Sequence, residues 1–83
     1  MYTNDDSAMI ISNSKQLGIL LRQRREGLSL TQADAAQAIG ASRQWLIQVE
    51  AGKPTAEVDR VLKLVRVLGL RLDIREIGEA DRG

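Results

Sequence analysis

Four times between residues 13 and 69 an apolar run at helical spacing stops at a glycine. Glycine most readily adopts the left-handed backbone conformation that ends a helix. This punctuation predicts four short helices rather than a sheet. The first starts at Asn13 or Ser14, either of which can cap it, carries Leu17, Leu20 and Leu21, and ends at Gly27 and Ser29. Thr31 caps the second, with Asp34 in the capping-box position, Ala35, Ala36 and Ile39 inward, and Gly40 as the stop. Ser42 caps the third, Arg43 to about Ala51, with Leu46 and Val49 on one face; Gly52 stops it and Pro54 prevents resumption. Thr55 is the expected cap of the fourth, with Glu57 in its first turn and a stripe of Val58, Val61, Leu62, Val65 and Leu68 before Gly69. Hydrophobic residues make up 43% and aromatics 2%, with no Phe, so the core between these helices is aliphatic.

Beyond Gly69 the period changes. Leu70, Leu72 and Ile74 alternate with Arg71, Asp73 and Arg75, and Ile77 falls one residue out of step after Glu76. Alternation of this kind predicts a half-buried strand over 70–77. A lone strand leaves its backbone polar groups unpaired. Pairing with the same strand of a second copy solves this; pairing with residues 8–12, or a frayed tail, are the alternatives. At 83 residues a single core is small, which also favours a partner subunit. The chain then divides into an N-terminal arm (1–12), a helical domain (13–69), a dimerisation strand (70–77) and a short tail (78–83).

The absence of Cys and His excludes disulfide scaffolds, Cys/His metal sites and Cys- or His-based catalysis. The acidic residues are scattered and the chain is small for a substrate cleft, so a non-enzyme without cofactor or metal is expected. No apolar run approaches the roughly 18–20 residues that span a bilayer. Asp5 and Asp6 stand where a signal peptide needs positive charge, so a cytoplasmic protein without membrane contact is expected. The net charge is only +1, yet residues 14–53 carry +3, residues 1–13 carry −2 and residues 54–83 balance. A dimer doubles the basic field of the middle segment and helps it find a polyanion; a mixed solvated surface is the plainer reading of the same charges.

The segment TQADAAQAIGASRQWLIQVEA, Thr31 to Ala51, is two short helices joined by a tight turn. Ala36 is small where the second helix crosses, Gly40 supplies the turn, and Leu46 fills the angle between the helices. This is the helix-turn-helix pattern, in which the second helix enters the DNA major groove by its N-terminal end. Arg-Glu-Gly-(x3)-Thr-Gln, from Arg25 to Gln32, and Gly-Ala-Ser-Arg-Gln-(x5)-Glu-Ala-Gly-Lys, from Gly40 to Lys53, add to it. With these motifs the chain resembles the Xre/Cro-type helix-turn-helix family over roughly residues 15–69. The segment GKPTAEVDRVLKLVRVLGLRLDI further resembles the tail of HipB-like antitoxins, in which the fourth helix leads directly into a strand that pairs across a dimer. The resemblance implies an all-α, lambda-repressor-like four-helix domain with a short C-terminal β-strand. It also implies a homodimeric antitoxin that represses its own toxin-antitoxin operon and binds a HipA-like kinase toxin. Only residues 78–83 follow the strand, so toxin neutralisation is expected to use the folded body or to act indirectly through the DNA complex. A stand-alone Xre-type repressor and a protein-interaction module without DNA are the competing readings. The basic, polar tip of the third helix speaks against the latter.

Within this frame Arg43, Gln44 and Gln48 are the expected base contacts. Arg can grip guanine O6 and N7, and Gln adenine N6 and N7; phosphate contact and plain solvation are their alternatives. Gln32, Ser42 and Lys53 are the expected phosphate contacts. Trp45 either turns its indole N–H to a phosphate or packs between helices. Ile47 suits a thymine methyl or a toxin surface. Leu68, Leu70, Leu72 and Ile74 are assigned to dimerisation. The resemblance implies a structural ion pair between Arg25 and Glu50.

Overall fold

A computed structural model of the chain describes residues 9–78. The assignments made to residues 1–8 of the arm and 79–83 of the tail lie outside the described residues. Four helices follow one another: α1 (Ser14–Gly27), α2 (Gln32–Ala38), α3 (Arg43–Glu50) and α4 (Val58–Val67). No described helix is long and apolar enough to cross a membrane.

The first three helices start where their side chains can satisfy free backbone N–H groups. Asn13 Oδ1 accepts from the Gln16 N–H at 2.8 Å, so Asn13 rather than Ser14 caps α1. Thr31 and Asp34 form the reciprocal capping box on α2, at 3.0 and 3.3 Å. Ser42 Oγ accepts from the Trp45 N–H at 3.0 Å. The start of α4 differs from expectation. Pro54 and Thr55 lie in a turn, Ala56 packs against the core, and Glu57 occupies the cap position without a side-chain hydrogen bond to the helix. Tertiary packing of Ala56 thus delays the helix by two residues.

All four helices end alike. The residue after the C-cap takes positive φ: Ser29 (60°), Gly40 (71°), Gly52 (94°) and Gly69 (73°). Each time its N–H and the next residue's N–H bond back into the last turn. Examples are Gly52 to Val49 O (2.9 Å) and Lys53 to Gln48 O (3.0 Å), or Gly69 to Arg66 O (3.0 Å) and Leu70 to Val65 O (2.9 Å). This paired pattern is the Schellman motif.

The core is aliphatic: Leu21, Ala35, Ala36, Leu46, Val49, Leu64, Val65 and Leu68. Glycine 18, passed over in the sequence, is where α1 crosses the end of α3. A Cβ there would lie 2.5 Å from the Val49 carbonyl oxygen and 2.6 Å from that of Glu50. Ser14 Oγ donates to Gly52 O at 2.9 Å and ties the same junction. Arg24 Nε donates to Leu68 O at 2.7 Å, satisfying a carbonyl at the end of α4.

Three expectations about the C-terminal part are corrected. Within α4 the buried face runs through Leu64, Val65 and Leu68, with Val61 partly buried; Val58 (71% exposed) and Leu62 (40%) point outward. The expected stripe fits one helix face, but α4 is rotated about its axis so that Leu64 takes the inward position and Val58 and Leu62 leave it. Leu68, assigned to dimerisation, is a core residue at 1% exposure, and Leu70 packs against the core beneath α4's C-terminal turn. The half-buried strand over 70–77 does not form in the single chain. Residues 70–78 carry no strand, and no strand forms at 9–12. Leu72, Ile74 and Ile77 stay exposed because no described backbone edge lies beside them to accept a ladder.

Candidate nucleic-acid interface

Helix α3 is the element on which the candidate residues converge. Leu46 and Val49 bury its inner face at 0% and 4% exposure, so its orientation is set by the core. The opposite face follows from the helical repeat. Gln44 and Gln48 are one turn apart, as are Arg43 and Ile47. Arg43, Gln44 and the Ser42 cap are exposed; Ile47 and Gln48 are half-buried. The structure therefore brings Arg43, Gln44 and Gln48 onto one surface at and beyond the N-terminal tip of α3. Ser42 Oγ accepts a bond from its own helix, which leaves its O–H free to donate outward.

Behind this surface lies a buried ion pair, Arg25 with Glu50. Arg25 donates from Nε to Glu50 Oε2 at 2.6 Å, from Nη2 to Glu50 Oε1 at 3.0 Å, and from Nη1 to Leu30 O at 2.8 Å. The two side chains are 9% and 5% exposed. The bond to Glu50 raises the Arg25 pKa above its ordinary value, while burial pulls the other way. Gln32 Nε2 completes the carboxylate's coordination, donating to Glu50 Oε1 at 3.1 Å. The Arg25–Glu50 pair thus locks α1 to α3, and Gln32 adds α2. No described buried side-chain polar atom is left without a partner.

Gln32 is more constrained than its role as a phosphate contact suggested. One amide hydrogen is committed to Glu50, and the other remains for an outside acceptor. It lines an open cleft of about 450 Å³ with Arg22, Arg25, Thr31, Ala33 and Arg43. Arg22 was missed in the sequence. It stands three residues before Arg25, and that spacing alone puts it on the same side of α1. It pairs with Glu26 at 3.1 Å on the surface. The cleft is bordered by cations from two helices, which suits an anion.

Trp45 packs partly buried against the core, and the Arg60 guanidinium of α4 lies 5.9 Å from its ring centroid. Arg60 is itself held by Glu57 at 3.1 Å. Lys53 is exposed and donates from Nζ to Gln48 Oε1 at 3.2 Å. No cluster of three or more acidic side chains that could hold a metal ion occurs among the described residues.

A helix-turn-helix domain family model matches residues 16–76. The chain is 35% identical over 69 residues to a Sinorhizobium fredii protein named as an uncharacterized HTH-type transcriptional regulator, covering 83% of this chain and 91% of that one. It is 27% identical over 67 residues to the ImmF control region 10 kDa protein of Bacillus phage phi105, covering 81% of this chain and 74% of the relative. It is 33% identical over 64 residues to an endothelial differentiation-related factor 1 homolog of Xenopus laevis, of whose length it spans 44%.

Proposed function

The chain belongs to the helix-turn-helix domain family, and from that premise we propose that it is a sequence-specific transcriptional repressor that reads operator DNA with α3. The observation that carries the reading is the polar surface of Arg43, Gln44 and Gln48 on a helix whose other face is pinned by Leu46 and Val49. Such a surface is preorganised: its side chains can meet base edges without moving the backbone. Gln32, Ser42 and Lys53 fix register on phosphates, joined by Arg22 from the cleft.

The finer reading is a homodimer. Leu72, Ile74 and Ile77 expose apolar side chains in a segment that forms no strand, and Val58 and Leu62 expose more on α4. A second copy would cover both and pair the segment 70–77. Two recognition helices would then enter successive major grooves about 34 Å apart on a pseudo-palindromic site. The likeness of residues 52–74 to HipB-like tails supports an autorepressing antitoxin with a HipA-like kinase toxin as partner. The phage control-region relative favours, as a second reading, a repressor that acts alone. A stable complex with the product of the neighbouring gene distinguishes the two.

The first test is fluorescence anisotropy of the purified protein on its own upstream DNA and on a scrambled duplex over a salt series. The expected result is binding in the nanomolar range to the upstream DNA alone at physiological salt, weakening steeply as salt rises. Equal, weak binding to both duplexes would overturn autorepression by the protein alone, in favour of a remote operator, a required toxin partner or the interaction-module reading. Gln44→Ala should relax preference at one base pair in each half-site while leaving the melting temperature unchanged.

A further inference from the structure

Gly52 at φ 94° turns the chain back on α3, and the Lys53 N–H bonds to the Gln48 carbonyl oxygen at 3.0 Å. The backbone therefore returns residue 53 to the turn that carries Gln48. There the Lys53 Nζ donates to Gln48 Oε1 at 3.2 Å. An ammonium has three donors and no acceptor, so the amide atom facing it is the oxygen. The amide nitrogen of Gln48 accordingly points away from Lys53, with both its hydrogens on offer.

A glutamine reads adenine by using both ends of its amide: the oxygen accepts from N6 and the nitrogen donates to N7. Lys53 takes one of the two lone pairs of that oxygen and fixes the amide, and a cation seated there disfavours a second donor such as adenine N6, so the two free hydrogens of the nitrogen are the groups best placed to read a base. Guanine presents two acceptors in the major groove, O6 and N7. We propose that Lys53 is a specificity-determining residue, which holds Gln48 Oε1 and turns Gln48 from an adenine reader into a donor to guanine. The inference rests on the reading that α3 enters the major groove. Two ammonium hydrogens stay available, so Lys53 can touch a phosphate while it orients Gln48.

The test uses the full-length protein and a randomised duplex library, followed by anisotropy on the four variants of one base pair. The pair is the one whose preference disappears in Gln48→Ala. Wild type should favour guanine over adenine there by about tenfold. Lys53→Met, at an exposed position, should lower that ratio about threefold to tenfold through a gain for adenine, and reduce the salt slope by about one. Equal weakening on all four bases would make Lys53 a plain phosphate contact and overturn the proposal. So would an adenine preference in the wild type, or a Gln48→Ala variant with unaltered preference. Failure of the wild type to enrich any sequence would instead overturn the DNA-reading function on which the proposal stands.

Discussion

Replacing Arg25 by Met removes a cation but leaves the Glu50 carboxylate in place, 5% exposed. Three hydrogen bonds go with it: two to that carboxylate and one to the Leu30 carbonyl. Only Gln32 then faces Glu50, at 3.1 Å and without charge. Breaking a buried pair from one side costs about 3–5 kcal/mol. A chain of 83 residues has roughly 4–12 kcal/mol in total. The variant should therefore lose a large part of its stability. Urea unfolding followed by Trp45 fluorescence and by circular dichroism measures it. With a slope near 1 kcal/mol per M for a small domain, the midpoint should fall by roughly 3–5 M. Protein concentration must be held constant, since a dimer's midpoint depends on it. The double variant Arg25→Met/Glu50→Met is the sharper arm. Removing both charges removes both desolvation costs, so its stability should return to within about 1 kcal/mol of wild type. A single variant that loses less than about 1 kcal/mol would show the pair to be solvated, and the reasoning would fail.

Gly18→Ala places a methyl 2.5 Å from the Val49 carbonyl oxygen; the expected loss is about 1–3 kcal/mol, read by thermal melting, although alanine is the better helix former. Ser29→Gly relieves an L-residue held at φ 60° and should gain roughly 0.5–1 kcal/mol, seen as a raised urea midpoint. Leu72→Asp, at a position 52% exposed in the single chain, should leave the melting of the helical domain intact but give monomers in sedimentation with much weaker operator affinity; an unchanged dimer would remove segment 70–77 from the interface.

What could be read from the residues alone was local chemistry. Caps at Asn13, Thr31 and Ser42, and stops at Gly40, Gly52 and Gly69, depend on neighbours within a turn, so type and spacing locate them. The start of α4 depends instead on where Ala56 packs, which no local rule contains. Leu62 and Leu64 are equally apolar, and only the seating of α4 on α2 and the core selects Leu64. The alternation over 70–77 is genuine, but a ladder needs a second edge and the single chain supplies none. The polar face of α3 was legible because the helix-turn-helix spacing names its positions. Lys53's hold on Gln48 was not, because it depends on a chain reversal; Arg22's spacing from Arg25 gave its side of α1, but the cleft it borders depends on how α1 meets α2 and α3. Gly18 did leave a signal: a mid-helix glycine costs about 1 kcal/mol against alanine and so asks for a packing reason.

The four matching helix ends leave this chain without slack. Between α1 and α2, and between α2 and α3, every connecting residue is either inside a hydrogen-bonded reversal or already capping the next helix. The aim of α3 is therefore governed by a few backbone angles rather than by loop length. One residue inserted after Gly40 would turn the whole of α3, and with it the shared surface of Arg43, Gln44 and Gln48, relative to α2, while leaving every side chain of that surface intact. Variation that preserves DNA reading should thus enter as substitution within these two turns, and changes of length should be confined to the longer connection between α3 and α4 and to the ends of the chain.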